Sequence, residues 1–196
     1  MRKFIEQIYQ NNKEYKGIVF LDRDGTINNK GRYIYNTRQI KILPTVNEGI
    51  KILNKKNIAV VVITNQPVVA NNYTTVSGLK KINDHLVNLL KKKRAYIDSI
   101  YSCPHHPNGE ILKYRMKCKC RKPGTLMFKE ALLRYNTPKI LGIIGDQTKD
   151  VVVGKKLKMK TVVVKTGYMG QDGKYNVKPD FTCNNFLDSV KALARQ

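Results

Sequence analysis

Four aspartates stand in two pairs, each pair after an apolar run of the chain, and together they could bind a divalent cation. The first pair is Asp22 and Asp24, and the second is Asp146 and Asp150. Carboxylates held close together repel, which raises their pKa values unless a cation lies between them. Mg²⁺ suits that place because it binds carboxylate oxygens and keeps room for waters and phosphate oxygens. The alternative is that the first pair only caps a turn before Gly25, since Asp and Gly are ordinary turn residues.

Three of the four cysteines and one histidine form a second candidate metal site. Cys103 and His105 are two positions apart, and so are Cys118 and Cys120. Three thiolates and one imidazole would complete the tetrahedral shell of Zn²⁺ and leave no open position, which is typical of a structural site. Disulfides are not expected if the chain is cytosolic. The alternative is a set of ordinary buried cysteines with surface histidines, because the usual CxxC spacing is absent.

Apolar runs that alternate with amphipathic stretches predict the elements that position these groups. Strands are predicted at residues 17–21, 58–63, 97–101, 140–144 and 161–164. Helices are predicted at residues 46–56, from Thr74 or Thr75 to at least Leu90, and at 126–135, 151–157 and 188–194. The helix at 46–56 carries Thr45 and Glu48 at capping-box spacing.

Strands alternating with helices of this length imply parallel strands, right-handed crossovers and helices on both faces. The predicted fold class is therefore α/β, a three-layer Rossmann-like parallel sheet. Ligands of such sheets bind at the carboxyl ends of the strands, where both aspartate pairs lie. We expect a single domain at 17–196, with the cysteine loop at 103–120, preceded by a helical extension at 1–16.

Four motifs of the chain resemble, in order and spacing, those of the haloacid dehalogenase superfamily of phosphohydrolases. The similarity spans residues 18 to about 166. The motifs are Asp22-Arg23-Asp24-Gly25-Thr26-Ile27, Thr64-Asn65-Gln66, Lys122, and Gly145-Asp146 with Asp150 four positions after Asp146. Together they are far more specific than any one of them, and they make a simple turn cap a poor explanation of the first pair.

The resemblance implies a phosphoryl transfer in two steps. Asp22 would attack phosphorus and form an aspartyl phosphate, which divides one difficult displacement into two easier ones. Asp24 would protonate the leaving alkoxide and later take a proton from the hydrolytic water. An Asp rather than a Thr at position 24 is what phosphatases of the superfamily show.

The resemblance also assigns the groups that bind phosphate and metal. Thr64 and the backbone amide of Asn65 would hold the phosphoryl oxygens, and Lys122 would neutralise charge on the phosphate and the nucleophile. The groups implied for Mg²⁺ are the carboxylates of Asp22 and Asp146 and the carbonyl of Asp24, with Asp150 orienting Lys122 or metal-bound waters.

The cysteine loop is similar to the zinc loop of the heptose bisphosphate and histidinol-phosphate phosphatases, a branch of the superfamily without a cap domain. The similarity lies in Cys103-Pro104-His105-His106-Pro107 and Cys118-Lys119-Cys120-Arg121-Lys122-Pro123. It implies structural Zn²⁺ on the four ligands named above, with His106 as a loop-packing residue. The loop would hold Arg121 and Lys122 over the phosphate pocket.

The intervals between motifs leave no room for a cap domain. Only 39 residues separate Asp24 from Thr64, and 56 separate Asn65 from Lys122, whereas a domain usually needs at least about 50 residues and the second interval already holds other elements. Loops at 28–35 and 66–73, together with Arg121, are therefore expected to set specificity.

The resemblance favours a heptose 1,7-bisphosphate substrate, whose 7-phosphate would be removed in nucleotide-sugar or glycan synthesis. Arg121 could bind the second phosphate with both of its guanidinium arms. Against this, Asn71 stands where the heptose enzymes usually carry Arg, and the segment after Pro123 is short. The alternatives are histidinol phosphate, a nucleic-acid 3′-phosphate, or a zinc-stabilised binding protein without turnover. Nucleic acid is not favoured because the sequence shows no series of stacking aromatics.

The composition is strongly basic, with a formal net charge of +23 over 196 residues. Lys, Asn and Ile number 28, 18 and 18, and all three have AT-rich codons, so codon bias is one explanation. Attraction of polyanions is the other. No apolar run reaches the roughly 20 residues of a membrane helix, and the N-terminus is too polar for a signal peptide. We therefore expect a cytoplasmic protein, most simply a monomer, with no membrane partner.

Overall fold

The computed structural model describes residues 4–10, 14–31, 33–137 and 139–194. The strands within them are β1 (Ile5–Ile8), β2 (Gly17–Leu21), β3 (Ile58–Asn65), β4 (Ser99–Cys103), β5 (Ile140–Gly145), β6 (Thr161–Val164) and β7 (Phe181–Cys183). The helices are α1 (Val46–Lys55), α2 (Val76–Lys92), α3 (Leu126–Tyr135), α4 (Thr148–Lys156) and α5 (Phe186–Ala194), with short 3₁₀ turns at Thr37–Gln39 and Leu112–Tyr114.

All seven strands form one sheet in the order β1-β4-β3-β2-β5-β6-β7. The strands from β2 to β7 pair in parallel, and β1 pairs antiparallel with β4 at the edge. Side chains of α1, α2 and α5 pack on one face of the sheet, and those of α3 and α4 pack on the other. The predicted three-layer α/β fold is confirmed.

The central strands are apolar on both faces because helices cover both faces. Every residue of β2 is buried, and so is β3 up to its last residue. Alternate residues of β2 therefore point into different cores. Val19 and Leu21 lie in the core beneath α1, and Ile18 and Phe20 lie in the core beneath α3. Because both faces of β2 are buried, the strand cannot shift within the sheet, and the position of Asp22 at its end is fixed.

The prediction of a helical extension at 1–16 is wrong for the residues that form β1. Ile5–Ile8 is a strand whose Gln7 lies opposite Ile100 of β4. Pairing with an open sheet edge outweighs local helix preference in so short a segment. Residues 1–3 and 11–13 of the predicted extension lie outside the described residues.

Three smaller expectations also differ from the structure. Thr45 has a left-handed backbone (φ 67°) and makes no capping hydrogen bond to α1, so the predicted capping box does not form. The short strand β7 is missing from the predicted elements because it has three residues and is only partly buried. β4 lies two residues later than predicted. None of the helices in the described part of the chain is long and apolar enough to span a membrane.

Candidate active site and metal sites

The predicted catalytic residues meet at the carboxyl ends of β2, β3 and β5. A cavity of about 460 Å³ opens there, and the predicted residues that line it are Asp22, Asp24, Thr64, Asn65 and Arg121. Lys122, Asp146 and Asp150 are buried next to it. Each strand ends at the same edge of the sheet, which brings motifs more than 100 positions apart into one site.

Lys122 joins two of the acids through its ammonium group. Its Nζ lies 3.0 Å from Asp22 Oδ1 and 2.7 Å from Asp150 Oδ1. Burial alone would lower the pKa of Lys122, but the charges of Asp150 and Asp22 outweigh it and raise the pKa above its ordinary value. Lys122 is therefore a fixed cation beside Asp22, the residue that the resemblance makes the nucleophile.

Asn65 holds the backbone on which Lys122 stands. Its Oδ1 accepts a hydrogen bond from the Lys122 amide at 2.9 Å, and its Nδ2 donates to the Lys122 carbonyl at 3.0 Å. The prediction for Asn65 concerned only its own backbone amide. The structure gives the Asn65 side chain a further role, because it fixes the position of Lys122 relative to β3.

The donor set formed by the acids fits a hard divalent cation. Carboxylate oxygens of Asp22, Asp146 and Asp150 lie within 4.8 Å of one another, and all three residues are buried. Asp146 Oδ2 accepts a hydrogen bond from the Tyr168 amide at 2.9 Å, whereas its buried Oδ1 has no hydrogen-bond partner among the described residues. Burial of an unpaired carboxylate oxygen is energetically unfavourable. A bound Mg²⁺ would pair with it, because Mg²⁺ prefers oxygen ligands.

Two glycines allow the backbone to approach Asp146 closely. A Cβ at Gly25 or at Gly167 would collide with the Asp146 carboxylate, and Gly25 also has a φ of +83°. The Gly25 that follows the first aspartate pair is thus required by the position of the Asp146 carboxylate as well as by the turn.

Asp24 accepts four hydrogen bonds from three residues. Arg23 contributes Nε and Nη2 at 2.9 and 3.0 Å, Asn28 contributes Nδ2 at 2.9 Å and Gln66 contributes Nε2 at 2.8 Å. Burial alone would raise the pKa of Asp24, but the Arg23 charge and these hydrogen bonds outweigh it and hold the pKa below its ordinary value. Gln66 also donates to the hydroxyl of Thr64 at 2.9 Å, which places the predicted phosphate-binding threonine beside Asp24.

The predicted zinc ligands form a compact cluster. The Sγ atoms of Cys103, Cys118 and Cys120 are 3.2 to 3.6 Å apart, and His105 Nδ1 lies 3.7 Å from Cys103 Sγ and 3.4 Å from Cys120 Sγ. A Zn–S distance of about 2.3 Å gives tetrahedral edges of about 3.8 Å between sulfurs. The cluster is within about half an ångström of that, so the three thiols and the imidazole fit one Zn²⁺.

Comparison with known proteins finds relatives over most of the chain. A family model described as HAD-hydrolase-like matches residues 119–189. The D-glycero-D-manno-heptose-1,7-bisphosphate 7-phosphatase of Chlorobaculum tepidum is 31% identical over 182 residues, covering 88% of this chain and 92% of that protein. The D-glycero-beta-D-manno-heptose-1,7-bisphosphate 7-phosphatase of Pasteurella multocida is 33% identical over 183 residues, covering 92% and 96%.

The chain belongs to the haloacid dehalogenase-like hydrolases. A solved structure shows the same fold: D,D-heptose 1,7-bisphosphate phosphatase from B. bronchiseptica, in complex with magnesium and phosphate. It has a TM-score of 0.77 and 24% identity, and the match covers 91% of this chain and 98% of that one.

Both loops expected to set specificity, 28–35 and 66–73, contribute residues to the cavity of this hydrolase, Lys30 among them. The lining residues that were not predicted to face the site are His106, Gln147, Lys149, Tyr168 and Lys174. His106, predicted to be a loop-packing residue, is one of them, and its pKa is lowered by burial, by Arg121 and by Lys174. The side chains come from four separate segments with no motif spacing, so only the folded chain shows that the mouth of the cavity is cationic.

Arg121 connects this hydrolase site to the cysteine cluster. Its Nη1 donates to the His105 carbonyl at 3.0 Å. The next residue, Lys122, is the buried cation at Asp22. Loss of order in the cluster should therefore displace both cations.

If Asp146 is a ligand of Mg²⁺, its raised pKa should make the effect of Mg²⁺ on stability depend on pH. Burial, followed by the charges of Asp22 and Asp150, raises its pKa to about 7. A carboxyl with a raised pKa favours the folded state while protonated, so metal-free protein should lose stability as pH rises through about 7. Mg²⁺ would remove that repulsion. We expect millimolar Mg²⁺ to raise Tm more at about pH 8 than at about pH 5.5, as measured by thermal melts.

The matched control for this prediction is Asp146→Asn, which keeps the shape of the side chain and removes its charge. It should melt at nearly the same temperature with and without Mg²⁺ at both pH values. A Mg²⁺ effect in Asp146→Asn equal to that of the wild type would show that the ion acts elsewhere.

Proposed function

We propose that this hydrolase is a Mg²⁺-dependent phosphomonoesterase that removes the 7-phosphate of a heptose 1,7-bisphosphate through an aspartyl phosphate on Asp22. The observation that best supports this reaction is the contact of Lys122 with both Asp22 and Asp150 at the carboxyl ends of the strands. The sugar is supported by the names of the relatives, which are at least 30% identical over most of both chains.

Each residue of the site has a separate role in the proposed reaction. Asp22 attacks phosphorus, and Lys122 neutralises charge that builds up between nucleophile and phosphoryl group. Asp24 gives a proton to the leaving alkoxide and later takes one from the water that hydrolyses the aspartyl phosphate. Its pKa is low before substrate binds, so it takes up that proton when the phosphate arrives, whose negative charge raises the pKa of a neighbouring carboxyl. Thr64 lies beside Asp24 to hold a phosphoryl oxygen.

Mg²⁺, when bound, would be held by Asp22, Asp146 and the Asp24 carbonyl, and it would supply positive charge to the phosphoryl oxygens. The cationic mouth of the cavity supports a substrate with a second phosphate. Arg121 is fixed there by His105, so its guanidinium is already ordered before substrate binds. Such preorganisation reduces the entropic cost of binding.

The test is phosphate release from heptose 1,7-bisphosphate and from histidinol phosphate, side by side, with Mg²⁺. We expect kcat/KM to favour the bisphosphate by about 10- to 100-fold, since a hydrogen-bonded contact with a charged group contributes about 1.5–3 kcal/mol. Arg121→Met should reduce that preference while leaving kcat for histidinol phosphate nearly unchanged. Equal or better turnover of histidinol phosphate by the wild type would contradict the proposed sugar.

One observation favours a second candidate, an enzyme that acts on nucleic-acid 3′-phosphates. Tyr73 stacks on both Tyr33 and Tyr35, with ring centroids 4.9 and 5.9 Å apart. The sequence gives no sign of this aromatic series, because the three rings come from two loops. They line a neighbouring cavity of about 630 Å³ that also contains Arg38 and Lys41 and, among the described residues, no acid.

This tyrosine cavity adjoins the catalytic one, since Gly31, Tyr33 and Ile34 line both. Aromatic faces beside cations are the usual means of binding single strands. If the candidate is right, Tyr35→Ala should raise KM for a 3′-phosphorylated oligonucleotide about tenfold, given about 1–3 kcal/mol for each stacked base. Tyr96→Ala, which removes another exposed tyrosine, is the control. No release of the 3′-phosphate by the wild type would exclude this candidate.

A further inference from the structure

Arg23, between the two predicted catalytic aspartates, is completely buried. It is the largest fully buried side chain among the described residues. A guanidinium out of contact with water must find partners for its donors, or its burial is strongly unfavourable. Two of its nitrogens bind both oxygens of Asp24, at 2.9 and 3.0 Å. Arg23 therefore supplies two of the four hydrogen bonds that fix the carboxylate of Asp24, and Asn28 and Gln66 supply the others.

Asn83 of α2 holds the other end of Arg23. Its Oδ1 accepts from Arg23 Nη1 at 2.9 Å. Asn83 is itself fully buried, and its Nδ2 donates to Gln7 Oε1 at 2.9 Å and to Ser102 Oγ at 3.2 Å. The Asn83 amide can therefore take only one orientation. Its oxygen must face Arg23, which is a donor, and its nitrogen must face Gln7 Oε1, which is an acceptor.

Gln7 belongs to β1, and its direction follows from the strand. Side chains two positions apart in a strand point to the same face, and Ile5 packs against Leu79 of α2 in one apolar cluster. Gln7 therefore points toward α2 as well. Its Nε2 donates to Asp84 Oδ1 at 2.8 Å and to the hydroxyl of Tyr9 at 2.8 Å, so the amide is held at both ends.

We infer that β1 positions the carboxylate of Asp24 through this series of hydrogen bonds, which makes Gln7, Asn83 and Arg23 a positioning chain for the reaction. The inference rests on the proposed function in one respect, the role of Asp24 as the acid and base of a phosphatase. It assigns a purpose to the N-terminal strand, which contributes no residue to the cavity.

The positioning chain matters most for the step in which a poor leaving group departs. An alkoxide needs a proton as it leaves, whereas p-nitrophenolate leaves without one. A displaced Asp24 should therefore slow the cleavage of an alkyl phosphate and spare the release of p-nitrophenol in the first turnover. A general loss of folded protein would slow both alike.

The experiment compares Gln7→Met with the wild type on p-nitrophenyl phosphate and on an alkyl phosphate. The alkyl substrate is heptose 1,7-bisphosphate, or glycerol 2-phosphate if the heptose is not turned over. Methionine has nearly the length of glutamine and offers Asn83 no comparable acceptor. We expect kcat for the alkyl phosphate to fall about tenfold, part of the 10²–10⁴-fold that general acid catalysis supplies, with KM unchanged and the first-turnover release of p-nitrophenol unchanged.

Two further variants make the result specific. The double variant Gln7→Glu with Asp84→Asn keeps an acceptor toward Asn83 and places a donor at position 84. It loses only the hydrogen bond from Gln7 to the Lys80 carbonyl, so it should restore most of the wild-type ratio of the two rates. Glu6→Gln is the matched control, because Glu6 lies on the opposite face of β1 and pairs with Arg134 at 3.1 Å. It should leave the ratio unchanged, whatever it does to stability. Gln7→Ala replaces Gln7→Met should the latter not fold.

The inference is overturned if Gln7→Met slows both substrates equally or neither of them, or if Glu6→Gln produces the same selective loss. Failure of the proposed sugar is separate from these outcomes. It would appear as a wild-type enzyme that hydrolyses p-nitrophenyl phosphate and glycerol 2-phosphate but not heptose bisphosphate, and the comparison of variants would still apply.

Discussion

Asp22→Asn should lower kcat at least about 10³-fold while leaving the fold and the cysteine cluster unchanged. An amide cannot serve as the nucleophile of an aspartyl-phosphate mechanism, and loss of a nucleophile commonly costs several orders of magnitude. The fold should survive, because an asparagine Oδ1 can still accept from the Arg23 amide, as Asp22 does at 2.7 Å. Lys122 also keeps Asp150 as its partner at 2.7 Å.

The measurement is steady-state phosphate release with Mg²⁺, together with thermal melts of both proteins. Asp24→Asn is the informative comparison. It retains the nucleophile, so enzyme quenched in acid after reaction with p-nitrophenyl phosphate should carry a phosphate detectable by mass spectrometry, and Asp22→Asn should not. Phosphorylation of Asp22→Asn would assign the nucleophile to another residue. A wild-type chain inactive on sugar, amino-alcohol and nucleotide phosphates would favour a binding protein instead.

The proposed catalytic cluster was predictable because each of its members follows a buried strand or stands at a fixed motif position. Apolar runs of five or six residues are strong signals for central parallel strands, and β2 and β5 begin and end close to where the sequence places them. Once the strands are parallel, Asp22 and Asp146 must share one edge of the sheet. The acids do meet there, within 4.8 Å.

The supporting residues were not predictable, because their roles depend on contacts between segments far apart in sequence. Gln7 and Asn83 are 76 positions apart and joined by one hydrogen bond, and neither stands in a motif. β1 itself is defined by its pairing with β4 rather than by its own composition. The stacking of Tyr73 on Tyr33 likewise joins two loops. Local patterns cannot report interactions of this kind.

The same distinction applies to Arg121 and Lys122. Their chemical roles follow from the sequence motif, but the positions that they take in the site depend on the residues that contact them. Asn65 fixes the backbone of Lys122, and the His105 carbonyl accepts from Arg121. The cysteine cluster and the end of β3 therefore hold the two cations through separate contacts, and damage to either should lower activity on the bisphosphate.

We expect the protein as purified to contain one Zn²⁺ per chain, and Cys120→Ser to lose it and to lower Tm by about 10 °C or more. Structural zinc binds with about 10–16 kcal/mol in small peptides. A loss of only a few kcal/mol shifts Tm by about 10 °C in a domain of this size. Cys120 is fully buried, so a serine hydroxyl there would also lack the soft donor that zinc prefers.

The effect should reach the active site as well as the melting temperature. Without the metal, His105 is no longer held, and the hydrogen bond that its carbonyl accepts from Arg121 becomes weaker. Phosphate release from the bisphosphate, whose second phosphate Arg121 is proposed to bind, should therefore fall together with zinc content when a chelator is added, whereas Asp22→Asn should lose activity with zinc and Tm unchanged. Metal analysis, melting curves and phosphate release on the same samples separate the two cases.

Cys183→Ser is the matched control, because Cys183 lies on β7 and is the one cysteine of the chain outside the cluster. It should keep its zinc, its activity and nearly its melting temperature. If Cys120→Ser and Cys183→Ser lowered Tm equally, the cluster would be a set of ordinary buried thiols. If purified protein held no zinc and a chelator changed nothing, the loop from 103 to 120 would be ordered by packing alone, and the placement of Arg121 and Lys122 would depend on Asn65 and the His105 carbonyl without help from a metal.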